Sequence, residues 1–216
     1  MGQNRTIVHL ARHGEVDNPA GLLYGRLPDY HLSELGREMA ERVAEHFRER
    51  DVVHLRSSPL ERAQETAAPL AETLGLPVVI DDRVIEAANY FEGLRLSFDG
   101  ALRHPKNWLY FRNPFKPSWG EAYTEILTRM RPAMKDAGDA AFGHEALIVT
   151  HQLPIWIARI NAEGRRMIHD PRKRQCTLGS VTSFTYIDGR VTSVSYSEPA
   201  AELLRPHQTK KFVAGA

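Results

Sequence analysis

The stretch Ile7-Val8-His9-Leu10-Ala11-Arg12-His13-Gly14-Glu15 decides how the rest of the chain is read. An aliphatic, β-branched run that halts at a glycine marks a strand passing into a turn. Arg12 and His13 stand at that halt, so a permanent cation adjoins a titratable imidazole. The pair suits phosphate. A guanidinium offers a planar fork to two phosphate oxygens, and a neutral imidazole nitrogen can attack phosphorus. Gly14 lets the backbone turn and approach a ligand without a Cβ in the way. A strand end with a surface arginine and a hydrogen-bonded histidine would read the same from these residues alone. The decision therefore rests on what the chain places beside them.

Outward from this stretch, the chain alternates strands and helices. A loop over 15–30 is marked by Asn18-Pro19, Gly21, Gly25 and Pro28-Asp29. Ser33 then reads as an N-cap for a helix over about 34–50, with Leu35, Met39, Val43, Ala44 and Phe47 at helical spacing. Val52 to Leu55 is a second strand. It ends at Ser57-Ser58-Pro59, where Ser58 is expected to cap a helix that Pro59 opens and Gly75 and Pro77 close. Val78 to Ile80 is a third strand. The segment 81–117 is irregular and aromatic, either a packed excursion over a site or a second core patch. A helix over about 121–141 follows, and then the continuous apolar run Ala146 to Thr150, the pattern of a strand buried on both faces. Leu153 to Ile160 is helical. Val181 to Ile187 and Val191 to Tyr196 are joined by Asp188-Gly189, a strong hairpin signal. A polar tail runs from about 197. The order predicts an α/β protein: a three-layer α/β/α sandwich with a mainly parallel sheet. The 216 residues are read as one domain.

Composition narrows the function classes. With 28 basic and 27 acidic residues the formal charge is +1, which argues for neither nucleic acid nor an anionic membrane surface as partner. Cys176 is the only cysteine, so the chain has no internal disulfide and fits a reducing compartment. Met1 to Thr6 is polar and the apolar run after it is too short for a secretory signal. A cytoplasmic protein is expected. Oligomeric state is left open.

In a parallel sheet, ligands bind beyond the carboxyl ends of the strands. Arg12 and His13 end the first strand, Arg62 lies in the first turn of the helix after the second, and His151 ends the strand Ala146 to Thr150. Helix N-termini at the same end add N–H groups and a positive dipole. Alone, Arg62 could pair with Glu61 or Glu65, and His151 could be a buried histidine with its bonds satisfied. Together the four residues point to a site for a phosphoryl group.

Three stretches then carry a resemblance: Arg12-His13-Gly14-Glu15, Ser57-Ser58-Pro59-Leu60-Glu61-Arg62-Ala63-Gln64-Glu65-Thr66-Ala67, and Val149-Thr150-His151. With Leu32-Ser33-Glu34-Leu35-Gly36 and Gly120-Glu121-Ala122-Tyr123, the chain resembles the histidine phosphatase superfamily, phosphoglycerate mutase-like branch, over about 5–195. The resemblance implies that His13 is the nucleophile and forms a phosphohistidine. It implies that Arg12, Arg62 and His151 hold the phosphoryl group and that Glu86 is the general acid. A small phosphorylated molecule would be the substrate, with no metal and no cofactor. The chemistry is coherent: cations around His13 oppose its protonation, and Glu86 needs a raised pKa to donate to the leaving oxygen. A salt bridge to Arg83 or another nearby base is the other reading of Glu86.

The sequence also departs from that family. Val16 stands where a hydroxyl residue is common. Pro19 replaces an asparagine, leaving Asn18 one place early as a phosphate-binding candidate. Gln152 follows the second histidine in place of glycine and could donate an amide hydrogen into the pocket. Ala87-Ala88-Asn89-Tyr90 replaces an Arg-His-Tyr-Gly run of the mutases, and a mutase needs extra cations, so hydrolysis is favoured over phosphoryl transfer between substrates. Arg26, Arg103, Lys106 and Arg112 could grip an anionic substrate or could be ordinary solvated cations. A metal hydrolase is disfavoured, because no His-Glu-x-x-His stretch occurs and paired arginines would repel a cation. A non-catalytic binding module would have no reason to keep Arg12, His13, Arg62, Glu86 and His151. A serine or cysteine hydrolase lacks a Gly-x-Ser-x-Gly elbow.

Overall fold

The computed structural model describes residues 5–95, 120–167, 169–170 and 173–204. Its strands are β1 (Arg5–Arg12), β2 (Val52–Ser57), β3 (Val78–Ile80), β4 (Glu145–Thr150), β5 (Val181–Ile187) and β6 (Arg190–Ser197), joined in one sheet of order β3-β2-β4-β1-β5-β6. β1 and β2 both pair with β4 in parallel, β3 extends β2 in parallel, and β5 and β6 add an antiparallel edge. Among the described residues four α-helices cover the two faces: α1 (Glu34–Phe47), α2 (Glu61–Leu74), α3 (Tyr123–Ala140) and α4 (Gln152–Ala162). This is the expected α/β sandwich with a mainly parallel sheet.

Side-chain alternation explains why both faces need cover. Val8, Leu10, Ala146 and Ile148 enter one core with Ile126, Met130 and Ala133 of α3 and Ile155 and Ile157 of α4. Ala11, Leu147 and Val149 point the other way, into a core with Val43 and Phe47 of α1 and Ala63, Ala67 and Leu70 of α2. Burying each large aliphatic or aromatic side chain contributes about 1.5–3 kcal/mol. Both central strands are thus apolar on either side, which is why Ala146 to Thr150 reads as an unbroken run.

Element ends follow local chemistry. Ser33 caps α1, its side chain accepting from Gly36 N at 3.0 Å. Gly75 ends α2 with φ 64°, and Asp188 and Gly189 turn the β5–β6 hairpin with φ 50° and 76°, as two-residue primed turns require. Ser58 differs from expectation: α2 begins at Glu61 with Leu60 as its N-cap, and no side chain caps it. The turn from β2 is longer than a capped Ser-Pro start, and the Ser58 hydroxyl has another partner.

The loop after β1 is clamped against the start of α1. A Cβ on Gly14 would lie 2.3 Å from the Gly36 oxygen, and one on Gly36 2.0 Å from the Glu15 oxygen. Both glycines are therefore required by close backbone approach. Gly14 N also donates to Thr66 Oγ1 at 3.1 Å, tying the loop to α2. The segment 81–117 is described only in part. It enters through a 3-10 turn (Asp82–Val84), Phe91 is buried, and Tyr90 is exposed. Phe98, Arg103, Lys106, Trp108, Tyr110, Phe111, Arg112 and Phe115 lie outside the described residues.

Candidate active site

Arg12 closes β1 and His13 follows it. Arg62 is the second residue of α2, and His151 immediately precedes α4. β2, β4 and β1 are adjacent in the sheet and run in parallel, so their carboxyl ends bring these residues to one point. The His13 and His151 ring centroids are 5.1 Å apart. Arg12, His13, Arg62, Glu86 and His151 are all buried, with His13, Arg62 and His151 at 0 % exposure.

The hydrogen bonds leave a set of atoms over. His13 Nδ1 donates to Gly14 O at 2.8 Å. A carbonyl only accepts, so Nδ1 carries the proton and Nε2 keeps its lone pair. Arg12 donates through Nη1 to Cys176 O at 2.6 Å, and Arg62 through Nη2 to Gly25 O at 2.5 Å. Glu86 Oε1 accepts from Ala87 N at 2.8 Å. His151 Nε2 and Ser58 Oγ are bonded at 2.8 Å. The atoms Arg12 Nε and Nη2, Arg62 Nε and Nη1, His13 Nε2, His151 Nδ1 and Glu86 Oε2 are buried without a hydrogen-bond partner among the described residues. Buried polar atoms are normally paired, and unpaired guanidinium nitrogens are expensive. Two arginines, a bare imidazole nitrogen and a second imidazole left over at one place match the oxygens of a tetrahedral oxyanion.

Electrostatics set the protonation states. Burial first, then Arg62 and Arg12, hold the His13 pKa well below the usual histidine value. Burial, Arg62, His13, Arg12 and Arg129 do the same to His151. Both imidazoles are neutral near pH 7. Burial pushes the Glu86 carboxyl upward, against the Ala87 N–H and the Arg62, Arg12 and Arg129 charges. A carboxyl in that balance can hold a proton and give it up.

Supporting groups fix this arrangement. Arg26 Nε donates to the Glu86 carbonyl at 2.7 Å and its Nη2 to Glu121 at 2.9 Å. Thr150 Oγ1 donates to Val84 O at 2.5 Å, joining the end of β4 to the turn that carries Glu86. Arg26, a candidate for gripping substrate, thus braces Glu86. Arg83 pairs with Asp81 and Asp136, not with Glu86. Glu65 accepts from Leu32 N and pairs with His31, leaving Arg62 to Gly25 and to the Tyr24 ring, 4.8 Å from its guanidinium carbon. Asn18 closes its own loop: its amide donates to Leu22 O at 2.8 Å and accepts from Leu22 N at 3.1 Å. These bonds engage both ends of the Asn18 amide within its own loop. Gln152 is buried, and its amide reaches Cys176 O at 3.4 Å and accepts from Arg174 at 3.5 Å. It backs the carbonyl that holds Arg12. Tyr24 and Ser58 are near the site and were not expected there. Neither carries a local signal, since a tyrosine in a glycine-rich loop and a serine before proline are ordinary turn residues.

A mainly parallel sheet with two histidines and two arginines buried together at the carboxyl ends of its strands frames a class of proteins that handle phosphoryl groups. The chain belongs to the histidine phosphatase superfamily (branch 1), which it matches over residues 8–199. It is 52% identical over 197 residues to the Mycobacterium tuberculosis protein Rv0525, covering 91% of this chain and 98% of that one. It is 29% identical over 184 residues to a Yersinia pestis protein designated "Probable phosphoglycerate mutase GpmB", covering 81% and 83%. Among solved structures it is similar to the mycobacterial glucosyl-3-phosphoglycerate phosphatase Rv2419c, with a TM-score of 0.70 and 25% identity over 91% of this chain and 97% of that chain. Phosphoryl hydrolysis or transfer is therefore the chemistry of its relatives. No helix among the described residues is long and apolar enough to cross a membrane.

Proposed function

We propose that this protein hydrolyses a phosphate monoester of a small molecule through a phosphohistidine at His13. The observation that carries the reading is the His13 ring: Nδ1–H is held by Gly14 O, and the bare Nε2 is buried beside unpaired nitrogens of Arg12 and Arg62. His13 Nε2 attacks phosphorus, and the P–O bond to the alcohol breaks. The Glu86 carboxyl gives its proton to the departing oxygen. In the second half, the Glu86 carboxylate takes a proton from water, the hydroxide oxygen bonds to phosphorus, and the N–P bond breaks. Inorganic phosphate leaves and both residues return to their starting states. Arg12, Arg62 and His151 stabilise the charge on the non-bridging oxygens. The segment Ala87 to Tyr90 brings no cation beside this pocket, and Arg26 is engaged with Glu86 and Glu121. Both facts favour hydrolysis over mutase chemistry.

A panel of phosphate esters assayed for released phosphate tests this directly. Turnover should survive exhaustive chelation, and activity lost to a chelator and restored by a divalent metal would overturn the mechanism. With 3-phosphoglycerate and a bisphosphorylated primer, transfer should be slower than hydrolysis of the best ester; the reverse ranking would make the protein a mutase.

Orthovanadate or phosphate should bind between Arg12, His13, Arg62 and His151. At 100 times its dissociation constant such an anion adds about 2.7 kcal/mol to stability, which thermal unfolding reads as a raised Tm. In Arg62→Met the shift should disappear. The variant's own Tm should change little, because a buried, half-bonded guanidinium adds little net stability. A Tm shift retained in full would place the anion elsewhere.

A further inference from the structure

We infer that Ser58 is a positioning residue that fixes His151 as an Nδ1–H donor, so that two neutral histidines in the same tautomer present opposite faces to the phosphoryl group. The inference deepens the proposed function and rests on it for the identity of the ligand, but the tautomer is a property of the free protein.

Ser58 is fully buried. Its backbone N–H donates to Val149 O at 2.9 Å, and its carbonyl accepts from Ser57 Oγ at 3.0 Å. The residue is thereby pinned between the ends of β2 and β4, and its hydroxyl is delivered to His151. Ser58 Oγ meets two groups. Leu60 N–H lies at 3.4 Å and can only donate to it; His151 Nε2 lies at 2.8 Å. A hydroxyl has one proton to give and two lone pairs. If His151 carried its proton on Nε2, Ser58 Oγ would accept twice and its own buried proton would have no acceptor among the described residues. If Nε2 is bare, the Ser58 hydroxyl donates to it and accepts from Leu60, and the only one of these groups left over is the His151 Nδ1–H. The second arrangement places the imidazole proton on Nδ1, the nitrogen that has no partner among the described residues.

The consequence is a division of labour between the rings. Gly14 O accepts from His13 Nδ1, so the nitrogen left over is Nε2 with a lone pair, fit to attack phosphorus. Ser58 donates to His151 Nε2, so the nitrogen left over is Nδ1 with a proton, fit to bind an oxyanion. A carbonyl and a hydroxyl thus sort one residue type into a nucleophile and a donor. Because Arg12 and Arg62 surround both rings, with His13 facing His151 from just after β1 and Arg129 acting from α3, His151 stays neutral. It cannot donate from both nitrogens, and the tautomer decides.

The test begins with wild-type protein labelled with nitrogen-15 in its histidines, free and with orthovanadate. The His151 ring should show a protonated Nδ1 and a bare Nε2 in both states. A protonated Nε2 in the free protein would overturn the inference, whether or not any ester is turned over; absence of turnover with the expected tautomer would count against the proposed function alone. Ser58→Ala releases the proton to Nε2 and turns a lone pair toward the phosphoryl oxygens. Vanadate affinity should fall by about 10²-fold, the scale of a lost oxyanion donor. Ser58→Thr keeps the hydroxyl and should restore both the tautomer and most of the affinity. An alanine variant with lowered Tm but wild-type vanadate affinity would reduce Ser58 to a structural role and reject the proposal. If the alanine variant does not fold, the wild-type and threonine spectra still decide.

Discussion

His13→Ala is expected to abolish turnover, by at least about 10⁴-fold, while the protein remains folded. The substitution removes the only route to a covalent intermediate, since Nε2 is the atom that would bond to phosphorus. His151 cannot take its place, because its available nitrogen carries the proton. Folding should survive. The His13 ring contributes one hydrogen bond, to Gly14 O, and its loss costs about 0.5–1.5 kcal/mol with a small cavity added. Circular dichroism and a Tm close to wild type would verify the fold. The chemical readout is rapid acid-free quenching with phosphorus-32 substrate, because phosphohistidine survives base and not acid. Wild-type protein should retain label and His13→Ala none. Label retained in the variant would move the nucleophile elsewhere.

Glu86→Gln should lose activity in proportion to how badly the leaving group needs a proton. An alkyl phosphate expels an alkoxide and should slow by about 10²-fold or more. An aryl phosphate with an acidic phenol leaves as its anion and should slow much less. Equal losses would remove Glu86 from the acid role and bring Glu15 or Glu92 into question. The pH dependence has a definite sign. Burial raises the Glu86 pKa, and the acid must be protonated to act, so alkyl ester kcat/KM should fall as pH rises through that raised value. His13 must be neutral, and its pKa is held well below 6.5, so the acid-side fall should come well below pH 6.5. In Glu86→Gln the alkaline limb should vanish and the acidic limb remain.

The same residues show how far sequence reading reaches. The strand Ala146 to Thr150, the helix spacing around Val43 and Phe47, the cap at Ser33 and the Asp188-Gly189 turn are local patterns, and the structure reproduces them with end shifts of a few residues. Arg12, Arg62 and His151 could be placed at strand ends and helix starts, and the parallel order of β1, β4 and β2 brings those ends together. Ser-Pro before a helix is a capping pattern, and nothing local announces that the Ser58 hydroxyl will meet a histidine 93 residues away. The partners of Asn18 and Arg26 are no easier to read from the sequence: an amide or guanidinium in a loop looks available until the hydrogen bonds to Leu22, Glu86 and Glu121 are known.

The sequence by itself determined the α/β sandwich and nominated candidate site residues, because apolar period, glycine stops and short motifs are written within a few neighbouring positions. The tertiary structure decided their chemical states. Neutral His13 and His151, an upward-shifted Glu86 and two arginines with nitrogens to spare depend on burial and on partners such as Cys176, which is 164 residues from Arg12. Desolvation and hydrogen-bond accounting are properties of the folded interior. They determine which nitrogen is bare and which carries a proton, and no local pattern encodes that.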